Sequence, residues 1–279
     1  MRKIGISTGT GHGGTDEEAI EAIAQAGFDA YFTGWNKGCD LVSKRKFGDK
    51  CGLVYQSVHA PFGSVIKMWE DPVGGAAVRD ELIDCLHDCA EADVPIMVIH
   101  PCIGMNKHTP TQLGIDMYAG VVSEAEKCGV KVAIENVEGI EYLIALRNAF
   151  VSSPAVGFCW DTGHEMCYNY SADVPLLFAG KLICTHLNDN LGMRDPDTMT
   201  WLDDSHLMPF DGRADWKGIA KRLARENFDG ILTFELTSKS KPGRNTHDIY
   251  LSLDRLEFLK LAAKKARDFA EMCEMAQKH

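Results

Sequence analysis

Eight short runs rich in valine, isoleucine and aromatic residues recur along the chain, near 3–8, 28–33, 54–59, 95–100, 130–135, 155–161, 181–187 and 230–236. Amphipathic stretches with helical spacing fill the intervals near 15–26, 76–92, 110–128, 140–150, 173–179, 215–226 and 248–275, while 36–53 reads as irregular. Apolar runs of this length alternating with helix-period segments predict repeated βα units around a parallel sheet. Several runs begin just after a glycine, as in Ala26-Gly27-Phe28 and Cys128-Gly129-Val130, where glycine can end the preceding helix in the left-handed conformation. Eight such units in 279 residues favour a closed (β/α)8 TIM barrel over an open sheet. No Pro/Gly/Ser-rich linker or block of like charge divides the chain, so the expectation is one domain over 1–279.

The N-terminus, Met1-Arg2-Lys3-Ile4-Gly5, turns glycine-rich before a signal peptide's apolar stretch can form, and no later run is long enough to span a membrane. A cytoplasmic protein with no membrane partner is expected. The ten cysteines are scattered through strands and helices, among them Cys85, Cys89, Cys128, Cys159 and Cys184, without CxxC pairing, which reads as buried, reduced thiols. A formal net charge of −11 disfavours nucleic acid as the main partner, because binding a phosphate backbone rests on Lys and Arg.

A barrel of this kind builds its active site from the carboxyl ends of its strands and the loops that follow. The polar residues that end the third to eighth runs are His59, His100, Glu135, Asp161, His186 and Glu235, all expected at one rim. Glu135, Asp161, His186 and Glu235 together form a candidate divalent-metal cage. Gly9-x-Gly11-x-x-Gly14 has the outline of a dinucleotide fingerprint, but the second run ends in Thr33-Gly34-Trp35, where that motif requires an acid. The glycines are better read as letting the first loop pass close to a ligand, or as a flexible connection.

At these motifs the chain resembles the xylose isomerase-like barrel superfamily, which joins sugar phosphate isomerases and epimerases to the endonuclease IV type of apurinic endonuclease. The resemblance rests on His59-Ala60-Pro61, Ile99-His100-Pro101, Ile134-Glu135-Asn136, Asp161-Thr162-Gly163-His164, His186-Leu187-Asn188-Asp189, Asp204-Ser205-His206 and Glu235, in family order. In the epimerase branch it implies one ion on Glu135, Asp161, His186 and Glu235, with His164 touching a substrate oxygen. In the endonuclease branch it implies three zinc ions held by His59, His100, Glu135, Asp161, His164, His186, Asp204, His206 and Glu235. The Asp204-Ser205-His206-Leu207-Met208-Pro209-Phe210 stretch departs from the sugar-acting pattern, because Phe210 stands where those relatives carry glycine.

The chemistry expected is removal of a proton next to a carbonyl, with a divalent cation on adjacent substrate oxygens stabilising the enediolate. Glu135 and Glu235 are the proton-transfer pair, and His59 and His100 orient substrate or relay protons. Three carboxylates and one imidazole suit Mn²⁺ first, with Co²⁺, Mg²⁺ or Zn²⁺ as alternatives, and Asp204 and His206 could hold a further ion. The partner expected is a small-molecule sugar or sugar phosphate, and a homo-oligomer is compatible with the chain. The loop 188–215 is expected to cover part of the site, with Trp201 or Phe210 on the sugar and Arg194 on a hydroxyl or phosphate. Trp35 is a candidate aromatic wall, and Lys239 to Arg244 reads first as a solvated basic turn, with a phosphate-holding segment as the alternative. Two alternatives remain: an apurinic endonuclease, opposed by rim loops poor in Lys and Arg, and a non-catalytic sugar- or metal-binding barrel.

Overall fold

The computed structural model describes residues 1–106 and 109–278. Its strands are β1 (Ile4–Ser7), β2 (Ala30–Gly34), β3 (Val54–His59), β4 (Ile96–Ile99), β5 (Lys131–Glu135), β6 (Val156–Asp161), β7 (Leu182–His186) and β8 (Leu232–Phe234). All pair in parallel, in the order β7-β6-β5-β4-β3-β2-β1-β8. The ring closes through a parallel bridge between Leu187 and Phe234, where Leu187 N–H donates to Thr233 O at 2.8 Å and Glu235 N–H to Leu187 O at 3.2 Å. The eight strands expected from the sequence all form, each within two residues of the expected bounds.

The helices are α1 (Asp16–Ala26), α2 (Leu41–Lys50), α3 (Lys67–Glu70), α4 (Pro72–Glu91), α5 (Gln112–Cys128), α6 (Ile140–Phe150), α7 (Thr162–Cys167), α8 (Trp216–Arg225) and α9 (Arg255–Ala276). Their ends follow local chemistry. Thr15 and Glu18 form a capping box at the start of α1, and Gly27, at φ 90°, ends it in the left-handed conformation. Gly129, at φ 74°, ends α5 in the same way.

The interval expected to be irregular contains α2. Its sequence is dominated by Lys44, Arg45, Lys46, Asp49 and Lys50, and it buries only Leu41 and Gly48, so no apolar periodicity announces it. The start is set by Asp40, whose carboxylate accepts from Ser43 N–H at 2.8 Å. The last helix begins at Arg255 rather than 248, because Asp254 and Glu257 make a second capping box there.

The main core lies between the strands and the helices, with Leu82, Val121, Leu143 and Phe258 fully buried. A smaller cluster of Val98, Ala133, Cys159 and Cys184 fills the inside of the barrel, and Gln56 donates to Cys184 Sγ at 3.3 Å. All ten cysteines are free thiols. Among the described residues, no helix is long and apolar enough to cross a membrane.

Candidate active site

Glu135, Asp161 and His186 are the last residues of β5, β6 and β7, and Glu235 directly follows β8. Strand ends in a parallel barrel converge on one rim, and donor atoms from these four residues all lie within 4.8 Å of one another. His186 Nδ1 stands between two carboxylates, 3.0 Å from Glu135 Oε1 and 3.1 Å from Glu235 Oε2. Its ring stacks on Phe32 at a centroid distance of 4.7 Å, which fixes the plane of the imidazole. Glu135, Asp161 and His186 have no solvent exposure, whereas the Glu235 side chain keeps 28% of its own and faces the cleft.

Asp161 is held from three directions. Its Oδ1 accepts from His164 N–H at 2.7 Å as it caps α7, and Asn188 Nδ2 lies 3.1 and 3.0 Å from its two oxygens. Its own N–H donates to Asn136 Oδ1 at 2.8 Å, and Asn136 Nδ2 returns a bond to Asp161 O at 2.9 Å. The asparagines of Ile134-Glu135-Asn136 and His186-Leu187-Asn188 thus hold the strand ends together where the ladder stops. Gly163 leaves room for this: a methyl group there would overlap the Asn188 amide.

Three histidines around the four-residue cluster share one hydrogen-bond pattern. Nδ1 of His59, His164 and His206 lies 2.8, 2.9 and 3.0 Å from the backbone oxygens of Ala60, Asn136 and Glu235. A carbonyl only accepts, so each Nδ1 carries a proton, and each ring directs its Nε2 inward, where loss of the second proton exposes a lone pair of the kind metal-ligating histidines use. His59 Nε2 and His100 Nε2 approach to 3.2 Å, and both lie 3.3 Å from Glu135 Oε2. Two lone pairs do not face each other at that distance without a proton or a cation between them. His59, His100 and Glu135 form one further group of converging donors, and Asp161, His164 and His206 form another. His206 holds a left-handed backbone at φ 50° that turns its ring toward Asp204, 3.0 Å away.

The electrostatics follow from burial and crowding. Burial pushes Asp161 up to about 6 despite His164 and His206 beside it. Burial would raise Glu235 too, but the facing His186 outweighs it and brings Glu235 down to about 2. Burial would lower His206, but Asp204 beside it raises it to about 9. His186 and His164 are likewise raised against their burial, by Glu135 and Asp161 respectively, while burial lowers His100. Without a bound cation, protons on the imidazoles balance the buried carboxylates. Among the described residues no Lys or Arg pairs with Glu135, Asp161 or Glu235. The donor set fits a divalent ion: buried carboxylates short of fixed positive charge, imidazole nitrogens directed inward, and a buried Glu135 Oε2 with no hydrogen-bond partner among the described residues.

Two cavities of about 500 and 430 Å³ open onto the cluster and share His59, Phe62 and Glu235 in their walls. Phe62, 40% exposed, stacks on His100 at 4.4 Å. Sequence reasoning missed it, because a lone loop aromatic has no periodic partner; its place three residues after His59 was the available signal. Trp35 lines the larger cavity but is buried, with its indole N–H donating to Asp88 at 2.7 Å, so it packs more than it projects. Trp201, half exposed, lines the smaller one.

Phe210 turns away to pack on Trp216 at 5.5 Å, although its backbone keeps the left-handed form, φ 71°, that glycine would favour. Arg194 lines neither cavity at the cluster and belongs to a separate one behind residues 203–205. The turn from Lys239 to Arg244 is only partly solvated: Lys241 pairs with Asp204 at 3.3 Å and Arg244 with Asp203 at 3.0 Å.

The family model described as xylose isomerase-like TIM barrel matches residues 20–261, and the chain belongs to that family. Among curated proteins it is 34% identical over 139 residues to the uncharacterized protein y4fM of Sinorhizobium fredii, a match that spans 46% of this chain and 42% of that one. Among solved structures it resembles an L-ribulose 3-epimerase at 18% identity and a TM-score of 0.75, covering 100% of this chain and 96% of the other. The IolI protein, solved with a bound zinc atom, matches at 16% identity and a TM-score of 0.75, covering 98% and 99%. At these identities the structures share the fold.

Proposed function

We propose that this member of the xylose isomerase-like TIM barrel family is a divalent-metal-dependent isomerase or epimerase of a sugar or sugar phosphate, acting by proton removal next to a carbonyl. The observation that carries the reading is the convergence of Glu135, Asp161, His186 and Glu235 donors within 4.8 Å at a rim that opens on sugar-sized cavities. Glu135, Asp161, His186 and Glu235 would hold the ion, Mn²⁺ first among the candidates. When bound, the ion supplies Lewis-acid stabilisation of negative charge developing on adjacent substrate oxygens.

Glu235, ionised and facing the cleft, takes the proton from the substrate carbon. Glu135 is fully buried among imidazoles, so its exchange with the opposite face runs through His59 or His100, whose Nε2 atoms lie 3.3 Å from its Oε2. His164 presents Nε2 toward the same space, suited to a substrate oxygen. Phe62 offers an apolar face to the carbon skeleton. The L-ribulose 3-epimerase and the zinc-bound IolI share this scaffold, which supports the reading. The test is deuterium incorporation from D₂O into a panel of ketoses and ketose phosphates with Mn²⁺; exchange lost in Glu235→Gln is expected.

A second reading, metal-dependent cleavage at an abasic nucleotide, is favoured by one observation: Glu135 and Asp161 each belong to two donor groups, so three sites are joined by shared carboxylates. Against it, the basic residues lining the two cavities are Lys44 and Lys241, each paired with an aspartate, Asp16 at 2.6 Å and Asp204 at 3.3 Å. A site gripping a duplex needs unpaired cations along its rim. Robust nicking of an abasic duplex at physiological salt, without deuterium exchange, would reverse the choice.

A further inference from the structure

Residues 203–206 form a wall between two cavities. Asp204 and His206 line the cavity at the metal-ligand cluster, while Asp203 and Ser205 line a second of about 280 Å³ on the other side. The two have no lining residue in common. Arg194 and Arg213 from the loop after β7, both exposed, and Arg244 from the loop after β8 line the second cavity. In a chain of net charge −11, three guanidiniums at one small cavity call for an explanation.

The charges do not cancel locally. Arg244 pairs with Asp203 at 3.0 Å, and the other Asp203 oxygen accepts from the backbone N–H of Arg194 at 2.9 Å. The guanidiniums of Arg194 and Arg213 have no hydrogen-bond or ion-pair partner among the described residues. Three cations and one carboxylate leave a surplus of two positive charges among the residues that line this cavity. Ser205, 3% exposed, lines the same cavity, and its hydroxyl also has no partner among the described residues. A buried hydroxyl left unpaired is costly unless something occupies the space it faces.

We propose that this cavity is a binding site for a phosphate-class oxyanion, held by Arg194, Arg213 and Arg244 with a hydrogen bond from Ser205. A phosphate group bears roughly −1.5 to −2 at neutral pH, which matches the surplus where a carboxylate would not. The volume of about 280 Å³ lies just below the range of ligand-sized cavities, roughly 300–1,000 Å³, and suits a phosphate or a small phosphate ester rather than a nucleotide. Loops after the seventh and eighth strands are also where barrels of this architecture frequently bind phosphate. The anion is either a free phosphate or the phosphate of a sugar ester whose other end reaches over the wall.

The test is calorimetric titration of inorganic phosphate into the EDTA-treated full-length protein, so that no bound metal captures the anion. Binding is expected, weakened at least tenfold by the double change Arg194→Gln and Arg213→Gln and several-fold by Ser205→Ala, with melting temperatures near that of the wild type. Lys239→Gln, a cation outside this cavity, should leave binding unchanged. No binding by the wild type, equal binding by the double variant, or equal weakening by Lys239→Gln would each overturn the assignment. Titrating a ketose phosphate against inorganic phosphate separates the sources: tighter binding of the ester that is lost in the double variant identifies a substrate phosphate, and equal binding a free one. The readout is independent of the proposed isomerase activity, so either reading can fail alone.

Discussion

The amide of Asn188 donates to both carboxylate oxygens of Asp161, at 3.1 and 3.0 Å, and it can do so because residue 163 has no side chain. A Gly163→Ala change places a methyl group where the amide lies and forces Asn188 off Asp161. Loss of a hydrogen-bonding partner behind a metal ligand typically costs roughly 10- to 100-fold in metal affinity. Titration of Mn²⁺ into the variant should show a loss in that range; unchanged affinity would mean that Asn188 does not set the carboxylate's position.

Metal addition should stabilise the fold. At a metal concentration about 1,000 times Kd, binding adds about 4 kcal/mol, which for a chain of this length raises Tm by about 7 °C. Scanning calorimetry with and without EDTA measures it. Equal melting with Mn²⁺ and EDTA would contradict an ion at the buried carboxylates.

The metal-free protein should lose stability as pH rises. His206, at about 9 when folded against an ordinary value near 6.5, stabilises the fold fully below about 6.5, and this is lost as pH climbs through 9. Asp161, at about 6 against about 4 unfolded, has the same sign over pH 4 to 6. A bound ion replaces these protons, so metal affinity should rise with pH over 6.5–9 and proton release should accompany binding. Tm in EDTA should therefore fall across that window while Tm in Mn²⁺ stays closer to level; parallel curves would refute the charge balance described here.

The strand ends were legible because each run stops at a carboxylate or imidazole and the barrel brings strand ends to one rim, so Glu135, Asp161, His186 and Glu235 could be grouped before any coordinates. Arg194 and Phe210 lie outside the two cavities at the cluster, which the sequence could not show because both are in the long loop after β7, where spacing carries no information about which side of a wall a residue faces. Helix α2 was invisible for a different reason: its stability comes from a cap at Asp40 and two buried positions, too few to set a period. Phe62 offered only its place three residues after His59, and its position between the two cavities emerges from the packing on His100.

Phe62 is 40% exposed, so replacing it should leave the fold nearly intact. If its ring contacts substrate carbon, Phe62→Ala should raise KM several-fold with little change in kcat, the mark of binding shared by ground and transition states. A fall in kcat at constant KM would instead assign it to holding His100 in place.

Anomalous diffraction from crystals of the Mn²⁺-loaded protein locates the ion. A Mn²⁺ peak is expected with Glu135, Asp161, His186 and Glu235 all within coordination distance, about 2.0–2.6 Å. A fully loaded protein whose manganese lies elsewhere, with these four side chains unligated, would contradict it.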